Sequence, residues 1–220
     1  MTRQHNTSPP GSTVDAEPRS TVDVEPVNGG GPPPVAIPPA EQALLLGLAR
    51  VAVAVAVGAL PGAALEAALA AGPLPDRRAG AFVTLTEDGE LRGCMGNLDA
   101  DNPAWASVVE AARWAARGDP RFLGVEPGEL AAMEIDVSIL GPLERLADPS
   151  AFRPGTDGIV VRRGRRRGLL LPEVADTVGR GPTDMLVACC RKAGLPGDAW
   201  RDTGTELWVF RTHRFGGPAA

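Results

Sequence analysis

The 220-residue chain has little of several residue types on which secretion and catalysis often depend. Its three cysteines are odd in number and two are adjacent, which disfavours a disulfide framework and favours a reducing compartment. Two histidines and the lack of any Cys-x-x-Cys pair argue against a zinc site. We therefore predict no metal site and no cofactor.

Aromatic residues are also few, and the net charge is negative. The chain has no tyrosine, and no aromatic residue lies within its one basic run, so that run lacks the stacking platform of single-strand nucleic-acid binders. The net charge of −5 disfavours nucleic acid and anionic membranes as partners. The first 30 residues hold no signal-peptide-like apolar run. The most apolar stretch, residues 44–60, carries Arg50 and is too short for a typical membrane span. A soluble, cytoplasmic protein is expected.

Residues 1–39 differ in composition from the rest of the chain. They contain nine prolines, no aromatic residue and a near-repeat, Ser-Thr-Val-Asp-x-Glu-Pro, at residues 12–18 and 20–26. Such a segment buries too little apolar surface to offset the entropy of ordering. We predict a disordered Pro/Gly-rich tail at residues 1–39, either without a partner or acting as a docking arm, followed by one domain at residues 40–217.

The pattern within this domain is one of helices interleaved with hairpins. The first half is predicted to contain a helix from Ala40 towards Pro61, a helix over residues 62–71, a hairpin over 82–96, and a helix capped by Asn102 and ended by Gly118. The second half is predicted to contain a strand over 134–140, a hairpin over 159–171, a helix capped by Thr183 and ended by Gly194, and a strand over 206–214. Because no regular βαβ alternation occurs, the sequence predicts an α+β fold with a mainly antiparallel sheet and flanking helices.

The returning arm of the first hairpin carries the candidate chemistry, because residues 91–96 read Leu-Arg-Gly-Cys-Met-Gly. Strand alternation places Arg92 and Cys94 on one face about 7 Å apart, where a guanidinium favours the reactive thiolate. Arg92 and Cys94 are therefore candidate catalytic residues. Arg92, Gly93 and Gly96 are candidate ligand contacts, since free strand amides suit an anion or a developing oxyanion.

Alternatives remain open for Cys94 and for the segment Asp119-Pro120-Arg121-Phe122. Cys94 is a nucleophile, a ligand or metal contact, or a structural thiol in a hairpin that glycines allow to pack closely. A nucleophile commonly needs a histidine base, and no local pattern places His213 near Cys94. Arg121 is either an anion contact oriented by Asp119 or one half of an ion pair that staples the loop.

One basic run, Arg-Arg-Gly-Arg-Arg-Arg at residues 162–167, occurs at the turn of the later hairpin. It is either a grip for the phosphates of RNA or a nucleotide, or a solvated hairpin tip. The absence of interleaved aromatic residues favours the second interpretation.

Several segments, in order, resemble the AMMECR domain family over about residues 41–215. They are Phe82-Val83-Thr84-Leu85, residues 91–96, Asp119-Pro120-Arg121-Phe122, Val137-Ser138-Ile139-Leu140, Gly168-Leu169-Leu170-Leu171-Pro172, and Lys192-Ala193-Gly194-Leu195 with Trp200. The resemblance implies an α+β fold in two unequal subdomains with a cleft between them. It supplies no established reaction. Asp157 stands where many relatives are expected to carry a histidine.

Bacterial and archaeal members of the family are also called AmmeMemoRadiSam system protein A. The resemblance therefore implies association with a Memo-like protein and a radical S-adenosylmethionine enzyme. We predict an accessory or enzymatic component acting with these partners, with a candidate anion or ligand cleft at the first hairpin. The alternatives are a cysteine-dependent enzyme acting on a small anionic or nucleotide-related substrate and, more weakly, an RNA-binding module.

Overall fold

The computed structural model describes Pro32 and residues 35–219 of the chain. Most of the predicted tail, residues 1–31 and 33–34, lies outside the described residues. Residues 35–39 belong to the folded part: Ile37 is buried in the core, and its carbonyl accepts a hydrogen bond from Gln42 Nε2 at 2.7 Å. The packed chain therefore extends a few residues upstream of Ala40.

Five α-helices and eight strands occur in the described residues. The helices are α1 (Pro39–Ala56), α2 (Gly62–Ala70), α3 (Ala104–Arg117), α4 (Ala175–Val178) and α5 (Pro182–Lys192). The strands are β1 (Ala81–Glu87), β2 (Glu90–Asn97), β3 (Met133–Leu140), β4 (Glu144–Arg145), β5 (Gly158–Arg163), β6 (Arg166–Leu170), β7 (Glu206–Phe210) and β8 (Thr212–Pro218). Pro103 and Gly181, rather than Asn102 and Thr183, occupy the N-caps of α3 and α5.

The first sheet has the antiparallel strand order β2-β1-β3-β8. Apolar side chains of its central strands, such as Val83, Leu85 and Ile135, are fully buried and belong to one core with apolar residues of α1 and α3. Because side chains alternate along a strand, the intervening residues Thr84 and Asp136 face the other side of the sheet. This second face carries the candidate site.

The second sheet has the antiparallel order β4-β7-β5-β6 and packs against α5. Cys189 and Cys190 are buried in this second core, and Cys189 Sγ lies 3.6 Å from the carbonyl oxygen of Ile159. Burial raises the pKa of Cys189 to about 12, so this thiol is a packing group at neutral pH.

A third apolar cluster, the junction cluster, draws residues from both sheets. It is built on Leu140, Val160, Leu171 and Phe210, with Phe82, Cys94, Leu98, Leu143, Leu169, Val174 and Trp208 packed against it. The chain passes between the sheets at Arg211, so residues 206–214 form parts of two strands instead of the single predicted one. That prediction was wrong because alternation alone does not reveal a change of sheet.

The α+β class with mainly antiparallel sheets and flanking helices is confirmed. Each sheet has its own core, and the first core is the larger. Helix α1 has the length and hydropathy of a membrane span, but its face formed by Leu45, Ala49 and Val53 is buried within the fold. In all, 28% of this span is buried inside the fold.

Candidate functional site

The hairpin of β1 and β2 places Cys94 opposite Thr84, whose hydroxyl donates a hydrogen bond to the Cys94 sulfur at 3.4 Å. The turn between the strands is made by Asp88 and Gly89, both with positive φ (51° and 81°). Positive φ at two consecutive residues is typical of tight hairpin turns, and the sequence Asp-Gly suits it. The predicted hairpin is confirmed.

The glycines on either side of Cys94 are needed for close packing. A Cβ atom on Gly93 would collide with the carbonyl of Ala115 in α3, and one on Gly96 with the carbonyl of Ala81 and the ring of Phe82. Both glycines are therefore explained by close packing: Gly93 lets β2 approach α3, and Gly96 lets β2 approach β1. Their predicted role as ligand contacts stays a prediction.

A β-bulge changes the predicted position of Arg92. Leu85 pairs with Gly93 but Thr86 pairs with Leu91, so Arg92 is the extra residue of β2 and the simple alternation of faces is interrupted. The Arg92 guanidinium contacts the loop after α3, with Nε 2.6 Å from Glu129 Oε1 and Nη1 2.6 Å from the carbonyl of Leu123. The expectation that Arg92 faces the thiol was therefore wrong in its geometry.

Asp119 and Arg121 form what we call the Asp119–Arg121 clip at the outer edge of β2. Cys94 N–H donates to Asp119 Oδ2 at 2.9 Å, and Arg121 Nη2 lies 3.4 Å from the Cys94 carbonyl oxygen. Arg121 also donates to Asp119 through Nε at 2.9 Å and through Nη2 at 2.6 Å. The clip thus takes the place of a neighbouring strand for Cys94, which protects an otherwise open sheet edge.

The two side chains of the clip differ in exposure. The Asp119 side chain is 2% exposed, whereas the Arg121 side chain is 55% exposed. Hydrogen bonding to Arg121, more than any other cause, lowers the pKa of Asp119 to about 2. The predicted pairing is present, and it holds a charged aspartate inside the fold with a guanidinium facing solvent.

Cys94 is partly buried and packs against the junction cluster. Its burial raises the pKa of the thiol, and this effect exceeds the lowering by the Thr84 hydroxyl and by the charges of Arg121 and Lys192. The Glu173 carboxylate also raises this pKa. At neutral pH the sulfur is therefore protonated, and the nearby cations do not make it a thiolate.

A second arginine lies on the same face of the first sheet. Asp136 pairs with Thr84 across β1 and β3, and its Oδ2 accepts a hydrogen bond from Arg214 Nη2 at 2.6 Å. The Arg214 side chain is 45% exposed. Sequence reasoning missed Thr84, Asp136 and Arg214, although polar residues alternating with buried ones in the central strands were a usable signal.

No histidine of the described residues serves Cys94 as a base. His213 belongs to the opposite face of β8, where its Nδ1 lies 3.1 Å from the carbonyl oxygen of Val35 and its Nε2 lies 3.0 Å from Gln42 Nε2. The other histidine, His5, falls outside the described residues. A Cys–His arrangement at Cys94 thus finds no support in the described part of the chain.

The arginines of the basic hairpin are largely engaged with their own fold. The Arg162 guanidinium lies 5.6 Å from the ring centroid of Trp208, Arg163 pairs with Asp202 at 2.6 Å, and Arg166 Nη1 donates to the carbonyl of Gly194 at 2.6 Å. Three of the five cations therefore have partners within the protein. A phosphate-binding role for this run gains nothing from the geometry.

The sequence matches the family model AMMECR1 over residues 47–215. The chain belongs to the AMMECR1 family. A protein of Methanothermobacter thermautotrophicus is 45% identical over 151 residues, covering 64% of this chain and 79% of that protein. Protein MK0488 of Methanopyrus kandleri is 42% identical over 145 residues, covering 62% and 70%.

A solved structure shows the same AMMECR1 fold. Uncharacterized protein PH0010 from Pyrococcus horikoshii aligns with a TM-score of 0.71 at 29% sequence identity, covering 82% of this chain and 93% of that one. The family resemblance predicted from the motifs is therefore confirmed. None of the three proteins has a name that states an activity, so a function has to be argued from the site.

Proposed function

We propose that this AMMECR1-family protein binds, without covalent chemistry, a small ligand with an anionic group at the Asp119–Arg121 clip beside Cys94. The observation that carries the proposal is a 55% exposed guanidinium held by a carboxylate that is only 2% exposed. Because Asp119 orients Arg121 before any ligand arrives, little side-chain entropy is lost on binding.

Directed hydrogen bonds, rather than net charge, would give this site its affinity. Asp119 neutralises Arg121 and Asp136 neutralises Arg214, so the two cations create little excess positive charge. Arg121 uses Nε and Nη2 on protein acceptors, while its Nη1 donates to none of the described residues. An arginine has five N–H donors, which leaves this edge of the guanidinium for a carboxylate or phosphate oxygen.

The cysteine would contribute as a neutral contact. A raised pKa leaves little thiolate at pH 7, and a cysteine nucleophile without a base loses most of its reactivity. The apolar residues that pack against the junction cluster together with Cys94, such as Phe82 and Leu98, suit the uncharged part of a ligand. These features favour a binding component over a cysteine-dependent enzyme.

Calorimetric titration with inorganic phosphate and with adenosine monophosphate tests the proposal. Arg121→Gln should weaken binding of at least one probe roughly tenfold or more, the loss of about one charge-assisted hydrogen bond. Arg163→Gln is the matched control, since Arg163 also pairs with an aspartate at 2.6 Å but lies on the basic hairpin. Absence of binding at about 10 mM, or equal losses in both variants, would refute the proposal.

The accessory role with a Memo-like protein and a radical S-adenosylmethionine enzyme is part of the same proposal. Its support is the family resemblance carried by the motifs at residues 82–96 and 119–122. Co-expression of the three proteins followed by affinity purification should recover a complex. If none forms in any combination, and the isolated protein converts a metabolite by itself, the accessory role is wrong.

A further inference from the structure

A separate cavity of about 500 Å³ opens at the edge of the second sheet. We call it the edge cavity; its lining is Arg145, Leu146, Ala147, Pro149, Trp200, Arg201, Thr205, Glu206 and Leu207. None of these residues belongs to the clip or to the hairpin that carries Cys94. Its volume lies within the range of small-molecule sites, which is roughly 300–1,000 Å³.

The cavity exists because β4 is only two residues long. Glu144 and Arg145 pair with β7, and Leu146 N–H still donates to the carbonyl of Leu207 at 2.9 Å. Beyond this bond the chain turns away through Pro149, so the start of β7 has no strand beside it on this side. A longer edge strand would fill the space.

Hydrogen-bond donors without protein acceptors collect around this gap. In an antiparallel ladder the N–H and C=O of one residue point to the same side, so Leu207 N–H, like its carbonyl, faces Leu146 at the point where the edge chain turns away. It has no backbone acceptor among the described residues. The hydroxyl of Thr205, which borders the cavity, is buried and also lacks a partner. Buried donors of this kind are usually satisfied by water or by a ligand.

Two guanidiniums of the cavity also lack a carboxylate partner. Arg145 and Arg201 form no ion pair within the described residues, whereas Arg163 of β5 and Arg211, which follows β7, each pair with an aspartate. The one carboxylate of the lining, Glu206, accepts a hydrogen bond from Trp208 Nε1 at 3.4 Å. Donors and positive charge therefore outnumber acceptors, which favours an anion.

The remaining lining is apolar. Leu146, Ala147, Pro149 and Trp200 contribute hydrocarbon surface, and the Arg201 guanidinium lies 4.6 Å from the Trp200 ring centroid. We propose that the edge cavity binds a small molecule in which a phosphate or carboxylate is attached to a compact apolar group. The guanidiniums and Leu207 N–H would hold the anionic group, and the apolar wall would hold the remainder.

Amide-resolved NMR titration of the full chain locates such binding without any substitution. Phenyl phosphate and benzoate are the probes for the two anionic groups, and phenol and inorganic phosphate carry the apolar and anionic halves alone. One of the two complete probes should shift the amide signals of Ala147, Thr205 and Leu207 and the indole N–H of Trp200. Each half alone should bind at least about tenfold more weakly, since 1.4 kcal/mol corresponds to a factor of ten.

Paired variants make the result decisive. Arg145→Gln combined with Arg201→Gln should abolish the shifts at these amides, while Arg165→Gln, an exposed arginine at the hairpin tip, should leave them unchanged. The proposal is overturned if neither phenyl phosphate nor benzoate shifts the signals of these residues. It is also overturned if the double variant still shows the shifts. Signals near Cys94 report the clip independently, so one site can fail while the other stands.

Discussion

Two buried aspartates, one serving each sheet, are bonded to arginine in contrasting ways. Asp157 precedes β5, is 2% exposed, and contacts Arg153 at 3.2 Å and Arg211 at 3.4 Å. Asp119 is equally buried but serves one arginine at 2.6 Å and the backbone N–H of Cys94. Both carboxylates satisfy the rule that buried charges are paired.

The difference teaches what each ion pair does. Asp157 contacts Arg153, which lies 4 positions before it in the same loop, and Arg211, which lies 54 positions after it. The Arg211 side chain is only 18% exposed. That arrangement fastens the connection between the sheets. Asp119 instead orients a guanidinium that is 55% exposed, next to a partly buried thiol. The ion pairs of Asp157 therefore hold two segments of the chain together. The ion pair of Asp119 also holds its loop to β2, and it leaves a cation accessible to solvent.

The largest expected effect comes from removing either buried charge. Asp119→Asn and Asp157→Asn should each lower the free energy of unfolding by about 2–3 kcal/mol, because each removes charge-assisted hydrogen bonds that a buried carboxylate accepts. Denaturant unfolding measures both losses. Only Asp119→Asn should also change the alkylation rate of Cys94. A change of that rate in both variants, or in neither, would break the distinction between the two aspartates.

The acid limb of stability provides a second difference. The folded pKa of Asp119 is about 2, below its usual 3.8, so its contribution to stability is present above pH 4 and is lost as the pH falls from about 4 towards 2. Asp119→Asn should flatten the fall of unfolding free energy across this range relative to the unsubstituted protein. Identical slopes in urea titrations at several pH values would contradict the assigned pKa.

Glycines next to the two sites sharpen the comparison further. Gly93→Ala would press a methyl group against the backbone of Ala115, and Gly158→Ala against the buried ring of Phe210. Each variant should lose about 2 kcal/mol of unfolding free energy. Gly93→Ala should lose more than Gly158→Ala, because the Ala115 backbone cannot rotate away as the Phe210 side chain can. Gly47→Ala is the control: the space is open within α1, so stability should rise by about 0.5–1 kcal/mol. A neutral Gly93→Ala would mean that β2 and α3 pack less closely than described.

The smallest expected effect separates Arg92 from Arg121. Arg92→Gln should cost about 1–2 kcal/mol of stability, because it removes the contacts to Glu129 and the loop carbonyls, and should leave Cys94 reactivity unchanged. Arg121→Gln should slow Cys94 alkylation at pH 8 about twofold, since the Arg121 charge lowers the pKa of the thiol. If Arg92→Gln slowed the alkylation of Cys94 and Arg121→Gln did not, Arg92 would be the cation that acts on the Cys94 thiol.

Sequence patterns sufficed for most elements but not for the site's geometry. The helix from Gly62, the strand ending at Leu140 and the stops at Gly118 and Gly194 follow from composition, periodicity and glycine. The position of Arg92 does not, because a single-residue bulge reverses the faces of the residues beyond it and leaves no mark in the pattern.

The companions of Cys94 were partly foreseeable. The pairing of Asp119 with Arg121 follows from their spacing in a loop, and the structure adds that the carboxylate binds the Cys94 backbone. The position of Arg214 near Cys94's sheet was not foreseen, because residues 206–214 were predicted to form one continuous strand. Its approach to Asp136 depends on β8 joining the first sheet, which is a tertiary choice that local alternation cannot express.

The pKa of the Cys94 thiol tests the central claim most directly. Alkylation by iodoacetamide across pH 6–10, mapped to Cys94 by mass spectrometry, should give a pKa above that of a free cysteine, since burial outweighs the neighbouring cations. That result supports a binding site with a neutral thiol. A pKa below about 7 with rapid alkylation would contradict it and restore the cysteine-dependent enzyme.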